Sequence, residues 1–169
     1  MSSGTADDGR VEIGIALDGT GRLGQPAAVT AVAAPADQLG YGSVWCIGPW
    51  AATLVGAVVA ASSRVRIGIE TRDADAVRTA RLIGGDRLVV VDRLPPWFAP
   101  ASGSAGTGLV RLDARAAAIA DATLELAGAR TWGAAKVVVR LIDDPGIDAA
   151  LAAYAELGEL VEGSPTARS

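Results

Sequence analysis

Two helix-to-strand units follow one another near the start of this chain, and they constrain its fold more than any other feature. Residues 36–45 contain the end of an amphipathic helix, a glycine stop at Gly40 and the start of a buried strand. Residues 60–69 repeat this pattern. Strands that alternate with helices in this way predict a parallel α/β sheet.

The alternation continues along the chain and predicts about six mostly parallel strands with surrounding helices. Short apolar runs rich in Val and Ile are typical of strands that are buried on both faces, and the longer segments between them have helical period. Asp73 and Asp113 are predicted to cap two of the helices. The predicted strands are residues 11–17, 43–47, 65–69, 87–91, 109–112 and 136–142, and the predicted helices are residues 26–39, 51–61, 74–83, 113–127 and a last one opened by Asp144-Pro145.

The length of 169 residues fits one domain. We assign it to residues 11–162, between a polar leader at 1–10 and a tail at 163–169. A complete (β/α)8 barrel needs about 250 residues, so this domain is too short for one. Residues 92–108 are rich in Pro, Gly and Ser and interrupt the alternation as a linker.

Composition excludes several classes of function. The net charge of −4 and the lack of a basic stripe disfavour nucleic acid and anionic membranes as partners. The longest apolar stretch, residues 51–61, is too short to cross a bilayer. Cys46 is the single cysteine, which excludes an internal disulfide and favours a cytoplasmic location. There is no histidine, the commonest general base and metal ligand, and we predict no metal site.

Several motifs together resemble the luciferase-like flavin and deazaflavin oxidoreductases, in particular their actinobacterial deazaflavin-dependent branch. The segment LGYGSVW at 39–45 looks like the signature of that family, and SSRVRIG at 62–68 looks like the entry to its third strand. GDRL at 85–88 is similar to the entry to its fourth strand. The resemblance also includes the sequence GAAKVVV at 133–139.

This resemblance implies an incomplete (β/α)8 TIM-barrel-like fold and a reduced deazaflavin or FMN as cofactor. It covers residues 11–91 and 116–161, and the middle of the family's chain has no counterpart here. We therefore expect residues 92–108 to mark the deletion. Gly48 replaces an acidic residue that usually closes the second strand, and no histidine-bearing glycine turn follows the fourth strand.

Active sites of such barrels lie at the carboxyl ends of the strands. Residues that follow predicted strands are therefore expected to converge on one rim, where carboxylates could exchange protons or orient a cofactor. Trp97 and Phe98 are in a rim loop and could either flank a flavin ring or pack against the protein. Trp45 is expected in the core, and Cys46 as an inert buried thiol. The predicted catalytic residues are Glu70 and Asp92, and the predicted cofactor-binding residues are Asp18, Gly48, Trp50 and Arg72.

Three functions follow from these observations. The first is a luciferase-like oxidoreductase acting on a small molecule, with its activity in doubt because the usual catalytic positions have changed. The second is a non-catalytic pseudoenzyme that acts as a dimerisation or partner-binding module. Missing strands leave sheet edges that either residues 92–108 or a second subunit of a homo-oligomer must cover. The third is a Rossmann-type nucleotide binder, because Gly19, Gly21 and Gly24 match G-x-G-x-x-G between a strand and a helix.

Overall fold

The computed structural model describes residues 11–96, 108–129 and 134–162, and it contains one six-stranded sheet whose strands are all parallel. The strands are β1 (Glu12–Asp18), β2 (Ser43–Ile47), β3 (Arg66–Glu70), β4 (Leu88–Val91), β5 (Leu109–Ala114) and β6 (Lys136–Leu141). The helices are α1 (Pro26–Ala36), α2 (Ala51–Ala61), α3 (Ala74–Gly84), α4 (Ile119–Ala129) and α5 (Ile147–Glu162). The prediction of an α/β fold with six parallel strands is confirmed. The predicted leader, tail, Trp97 and Phe98, and most of the linker lie outside the described residues.

The order of the strands across the sheet is β4-β3-β2-β1-β6-β5. β2, β3 and β4 follow β1 one after another toward one edge of the sheet. β6 lies between β5 and β1, so the connection from β5 to β6 runs in the same direction. Right-handed crossovers that all move one way place every helix on the same face. The packing agrees, because one core joins helix residues such as Val55 and Leu157 to outward-facing strand residues such as Ile15 and Val139.

The opposite face of the sheet, called the concave face below, has a separate core. It contains Trp45 and Ile47 of β2, together with Ala16, Leu109, Val138 and the buried side chain of Leu94. Among the residues whose side chains the structure describes, none from the helices belongs to this core. The concave face is therefore covered by its own side chains and by the chain that follows β4.

The sheet is curled, and the chain after β4 shows why. A flat sheet would hold β4 and β5 about 24 Å apart, which is five strand spacings. The N–H of Arg111 in β5 donates to the carbonyl oxygen of Pro95 at 2.7 Å, and Pro96 forms a parallel bridge with Arg111. Pro95 is the fourth residue after Val91, so the two lie at most about 14 Å apart. The two edges of the sheet must therefore curve toward each other.

Trp45 lies flat on the concave face, and small residues make room for it. Its indole Nε1 donates to Oγ of Ser43 at 3.0 Å, and only 3% of the residue is exposed. A Cβ at Gly68 would lie 2.0 Å from Cδ2 of this indole. Glycine at 68 is therefore required by the ring above it, and the prediction that Trp45 lies in the core is confirmed.

Several predicted boundaries were wrong for local reasons. The strand predicted at 109–112 continues to Ala114, so Asp113 pairs within the sheet and does not cap a helix. The carboxylate of Asp143, from the neighbouring loop, instead accepts from the N–H groups of Ala116 and Ala117 ahead of α4. Asp73 does cap α3, accepting from the N–H groups of Asp75 and Ala76.

We expect Gly68→Ala and Gly56→Ala to change stability in opposite directions. The added methyl at Gly68 overlaps the Trp45 indole, so we expect a loss of about 1–3 kcal/mol of unfolding free energy. Gly56 lies inside α2 with no atom within 4 Å of an added Cβ, so the same change should stabilise by about 0.5–1 kcal/mol. Urea denaturation followed by circular dichroism measures both. Equal stability of the Gly68→Ala variant and the original protein would contradict the stacked position of Trp45.

Candidate functional site

The predicted site residues occupy the carboxyl ends of β1 to β4, on or beside the concave face. Asp18 and Glu70 are the last residues of β1 and β3, one position earlier relative to their strands than the sequence predicted. Strand register places Asp18 beside Ile47, and Glu70 beside Val91. Ile47 of β2 stands between the two carboxylates, which are therefore about 10 Å apart, or two strand spacings. At that separation they do not share a proton.

Asp18 is held in an ion pair that the sequence analysis missed. Its Oδ2 accepts from Nη2 of Arg140 at 2.7 Å, and its Oδ1 accepts from the N–H and the hydroxyl of Thr20 at 2.9 and 2.7 Å. Partial burial acts to raise the pKa of Asp18, but the Thr20 hydrogen bonds and the charge of Arg140 outweigh it and hold the pKa below its ordinary value. Asp18 is therefore a fixed carboxylate with its oxygens already bonded.

Gly48 and Trp50 lie next to Asp18, as the rim prediction requires. Gly48 has a φ of +88°, and a Cβ there would lie 3.1 Å from Oδ1 of Asp18. A Cβ on Gly19 would lie 3.4 Å from Cβ of Trp50, whose residue is 65% exposed. The β1 and β2 ends therefore form one small surface with an exposed indole on it.

Glu70 is engaged by the chain that crosses the concave face. Its Oε2 accepts from the N–H of Leu94 at 2.7 Å, and the Leu94 side chain is fully buried against the concave core. We call residues 94–96 the strap, because they lead from the β4 edge to Arg111 of β5. The strap occupies space at the carboxyl ends of the strands that an active site would use.

Arg72 and Asp92 stand apart from these contacts. Both are exposed. Neither takes part in the side-chain hydrogen bonds and ion pairs of residues 11–96, 108–129 and 134–162. The structure thus brings Asp18, Gly48 and Trp50 together, places Glu70 under the strap, and leaves Arg72 and Asp92 on the surface.

The glycines of the G-x-G-x-x-G segment accommodate the protein itself. A Cβ at Gly21 would lie 2.7 Å from Oδ1 of Asp144, and one at Gly24 would lie 2.4 Å from the carbonyl oxygen of Asp18. Asp144 accepts from the N–H of Arg22 at 2.7 Å, in the position where a nucleotide phosphate would accept in a Rossmann fold. The glycine-rich loop is therefore held by the Asp144 carboxylate, which follows β6.

The sequence carried a signal for one of the missed residues. Arg140 lies two residues after Val138 on β6, so it faces the same side of the sheet. The register places it beside Ala16 of β1, two residues before Asp18. The strap gave no such signal, because its position depends on the curl of the whole sheet. Asp144 has a φ of +45°, and the sequence predicts for it only a place at the start of the last helix.

Other side chains offer little chemistry. Cys46 is fully buried, and burial raises the pKa of its thiol to about 12, which agrees with an inert thiol. Within the described part of the chain, no three His, Cys, Asp or Glu residues cluster closely enough to hold a metal ion. None of the described helices has the length and apolar character needed to cross a membrane.

We expect Asp18→Asn to destabilise the protein by about 1–3 kcal/mol at neutral pH. The Arg140 guanidinium would then face a neutral amide in place of the carboxylate that accepts its hydrogen bond. The exposed pair of Asp75 and Arg78 is the matched control, and Asp75→Asn should cost less than about 1 kcal/mol.

The same ion pair predicts a pH dependence of stability. Because the folded-state pKa of Asp18 lies below the ordinary 3.8, its stabilisation is present above that pH and is lost as pH falls through the folded pKa. The difference in unfolding free energy between Asp18→Asn and the original protein should therefore shrink in acid. Denaturation curves at several pH values measure it, and a constant difference would contradict the ion pair.

Comparisons with models of known protein families, with curated proteins and with solved structures find no match to this chain. The luciferase-like relationship therefore stays a prediction from the motifs. Only the sequence motifs and the geometry of the site bear on that relationship.

Proposed function

We propose that this chain is a non-catalytic relative of the luciferase-like oxidoreductases, derived from a (β/α)8 barrel by loss of two strand–helix units. The strand order supports this, because it is cyclic and broken only between β4 and β5. Removal of two consecutive units from a ring of eight leaves this order. The position of the break agrees with the interruption in the sequence at residues 92–108.

The position of the strap is the main support for the proposed loss of catalysis. A reduced deazaflavin or FMN needs an open cleft at the carboxyl ends of the strands, where the cofactor supplies the hydride chemistry and the protein orients it. Here the Leu94 side chain fills part of that space, and its N–H donates a hydrogen bond to the Glu70 carboxylate. Arg140 and Thr20 donate hydrogen bonds to the Asp18 carboxylate. These residues do not fit a flavin-type cofactor, and no reaction step is assigned to them.

A residual oxidoreductase is the second candidate, and Trp50 is the observation in its favour. This exposed indole stands beside Asp18 and Gly48 and could stack on a flavin ring. A Rossmann-type nucleotide binder is disfavoured, since Asp144 takes the phosphate position and the helices do not cover both faces of the sheet.

The retained function is binding, and its partner is a second copy of the chain. The outer surface of α3 carries Asp75, Arg78, Arg81 and Leu82, which gives it one net positive charge, and Leu82 is 84% exposed. The outer surface of α4 carries Asp121, Leu124 and Glu125, and Leu124 is 76% exposed. These surfaces have opposite charge around an exposed leucine. They belong to the two edges of the sheet, so a twofold partner can place each α3 against the other copy's α4.

The module acts in the cytoplasm, where a free Cys46 persists.

We expect no cofactor binding by the original protein. Titration with FMN, or with reduced deazaflavin under anaerobic conditions, should leave the visible spectrum of the cofactor unchanged. Leu94→Ala, which shortens the buried side chain of the strap, tests whether the strap excludes the ring. A saturable spectral change with the original protein, weakened by Trp50→Ala, would overturn this proposal in favour of the second candidate.

Self-association is expected to depend on charge. Sedimentation velocity over a range of concentrations should show a dimer, and Arg81→Glu or Glu125→Arg alone should weaken it at least tenfold, about 1.4 kcal/mol. The double variant should recover the dimer, because the two charges are exchanged together. A monomer at every concentration, or no recovery in the double variant, would contradict the interface.

A further inference from the structure

The concave face carries a half-open cavity of about 340 Å³, which extends from the first residues of four strands to Val91 at the end of β4. Its polar wall comes from first residues of strands, namely Glu12 of β1, Ser43 of β2, Arg66 of β3 and Lys136 of β6. Its apolar wall comes from Trp45, Gly68, Val89, Val91 and Leu109. The size is at the lower end of the range for small-molecule pockets.

The charges at this cavity favour an anion. Nζ of Lys136 lies 3.3 Å from Oε2 of Glu12, so these two charges largely neutralise each other. Arg66 also lines the cavity, is exposed, and is outside the ion pairs found among the described residues. Its planar guanidinium matches the two oxygens of a carboxylate. The wall as a whole therefore carries one net positive charge.

The apolar wall favours a flat ligand body. The Trp45 indole is fixed by its bond to Ser43 and by its stacking over Gly68. Aromatic rings pack well against such a surface. Val89 and Leu109 belong to the two strands on either side of the gap in the sheet, so the cavity exists because no strand pairs between them in the described residues.

We propose that this cavity binds a small aromatic or other flat apolar monocarboxylate, with the carboxylate at Arg66 and the body against Trp45, Val89 and Leu109. The site is separate from the predicted rim and from the α3 and α4 surfaces. Binding here therefore does not depend on self-association or on the absence of a flavin site.

The test uses three probes of similar shape and different charge: phenylacetate, phenylacetamide and phenethylamine. Each is added to the full isotope-labelled chain, and amide and indole N–H shifts are followed by NMR. We expect phenylacetate to shift the Nε1–H of Trp45 and the N–H of Gly68 saturably. Phenylacetamide should bind at least tenfold more weakly, and phenethylamine more weakly still. Absence of a saturable shift, or equal binding of the three probes, would overturn the proposal.

Matched variants locate the carboxylate. Arg66→Gln should weaken phenylacetate binding at least tenfold, whereas Arg64→Gln, which removes an exposed guanidinium two residues earlier, should not change it. Val89→Phe should fill the cavity and abolish binding, and the pair of arginine variants decides the question if that variant does not fold. An equal effect of both arginine variants would mean that the carboxylate is not held at Arg66.

Discussion

The five helices described in this structure all pack on one face of the sheet, and the other contacts depend on how the opposite face is covered. A parallel sheet must be buried on both sides. Here Trp45 lies across Gly68 at one level, and Leu94 of the strap fills the face at the carboxyl ends. The strap also holds the two edges near each other through Pro95 and Arg111. The strap thus both maintains the curvature of the sheet and, together with Trp45, buries its concave face.

The strap also lies where the strands end. In a parallel α/β fold the carboxyl ends of the strands are where binding and catalytic groups usually converge. Glu70 and Asp18 are at those ends, but their oxygens accept hydrogen bonds from the protein itself. The Thr20 and Arg140 contacts also hold the pKa of Asp18 below its ordinary value, which makes this carboxylate a poor proton donor or acceptor near neutral pH. The contacts that hold the curled sheet together are therefore the same ones that occupy the carboxylates at its rim.

The sequence predicted the elements well and the contacts between distant segments poorly. Runs such as 43–47 and 136–142 show their burial directly, and Asp73 shows its cap within three residues. The Asp18–Arg140 pair joins residues 122 positions apart, and the strap depends on the curl of the sheet. Asp113 was misassigned because strand and helix-cap preferences compete in a short segment, and pairing with β6 decided the outcome.

The central position of β1 has a consequence for how the chain is made. This first strand pairs with β2 on one edge and with β6, near the end of the described chain, on the other. A ribosome releases β2 soon after β1, but β6 emerges only after β2 to β5 and the helices between them have been made. One edge of β1 must stay unpaired throughout that interval, exposed to pairing with other nascent chains. Slow translation or truncation before residue 136 should therefore favour aggregation over partial folding.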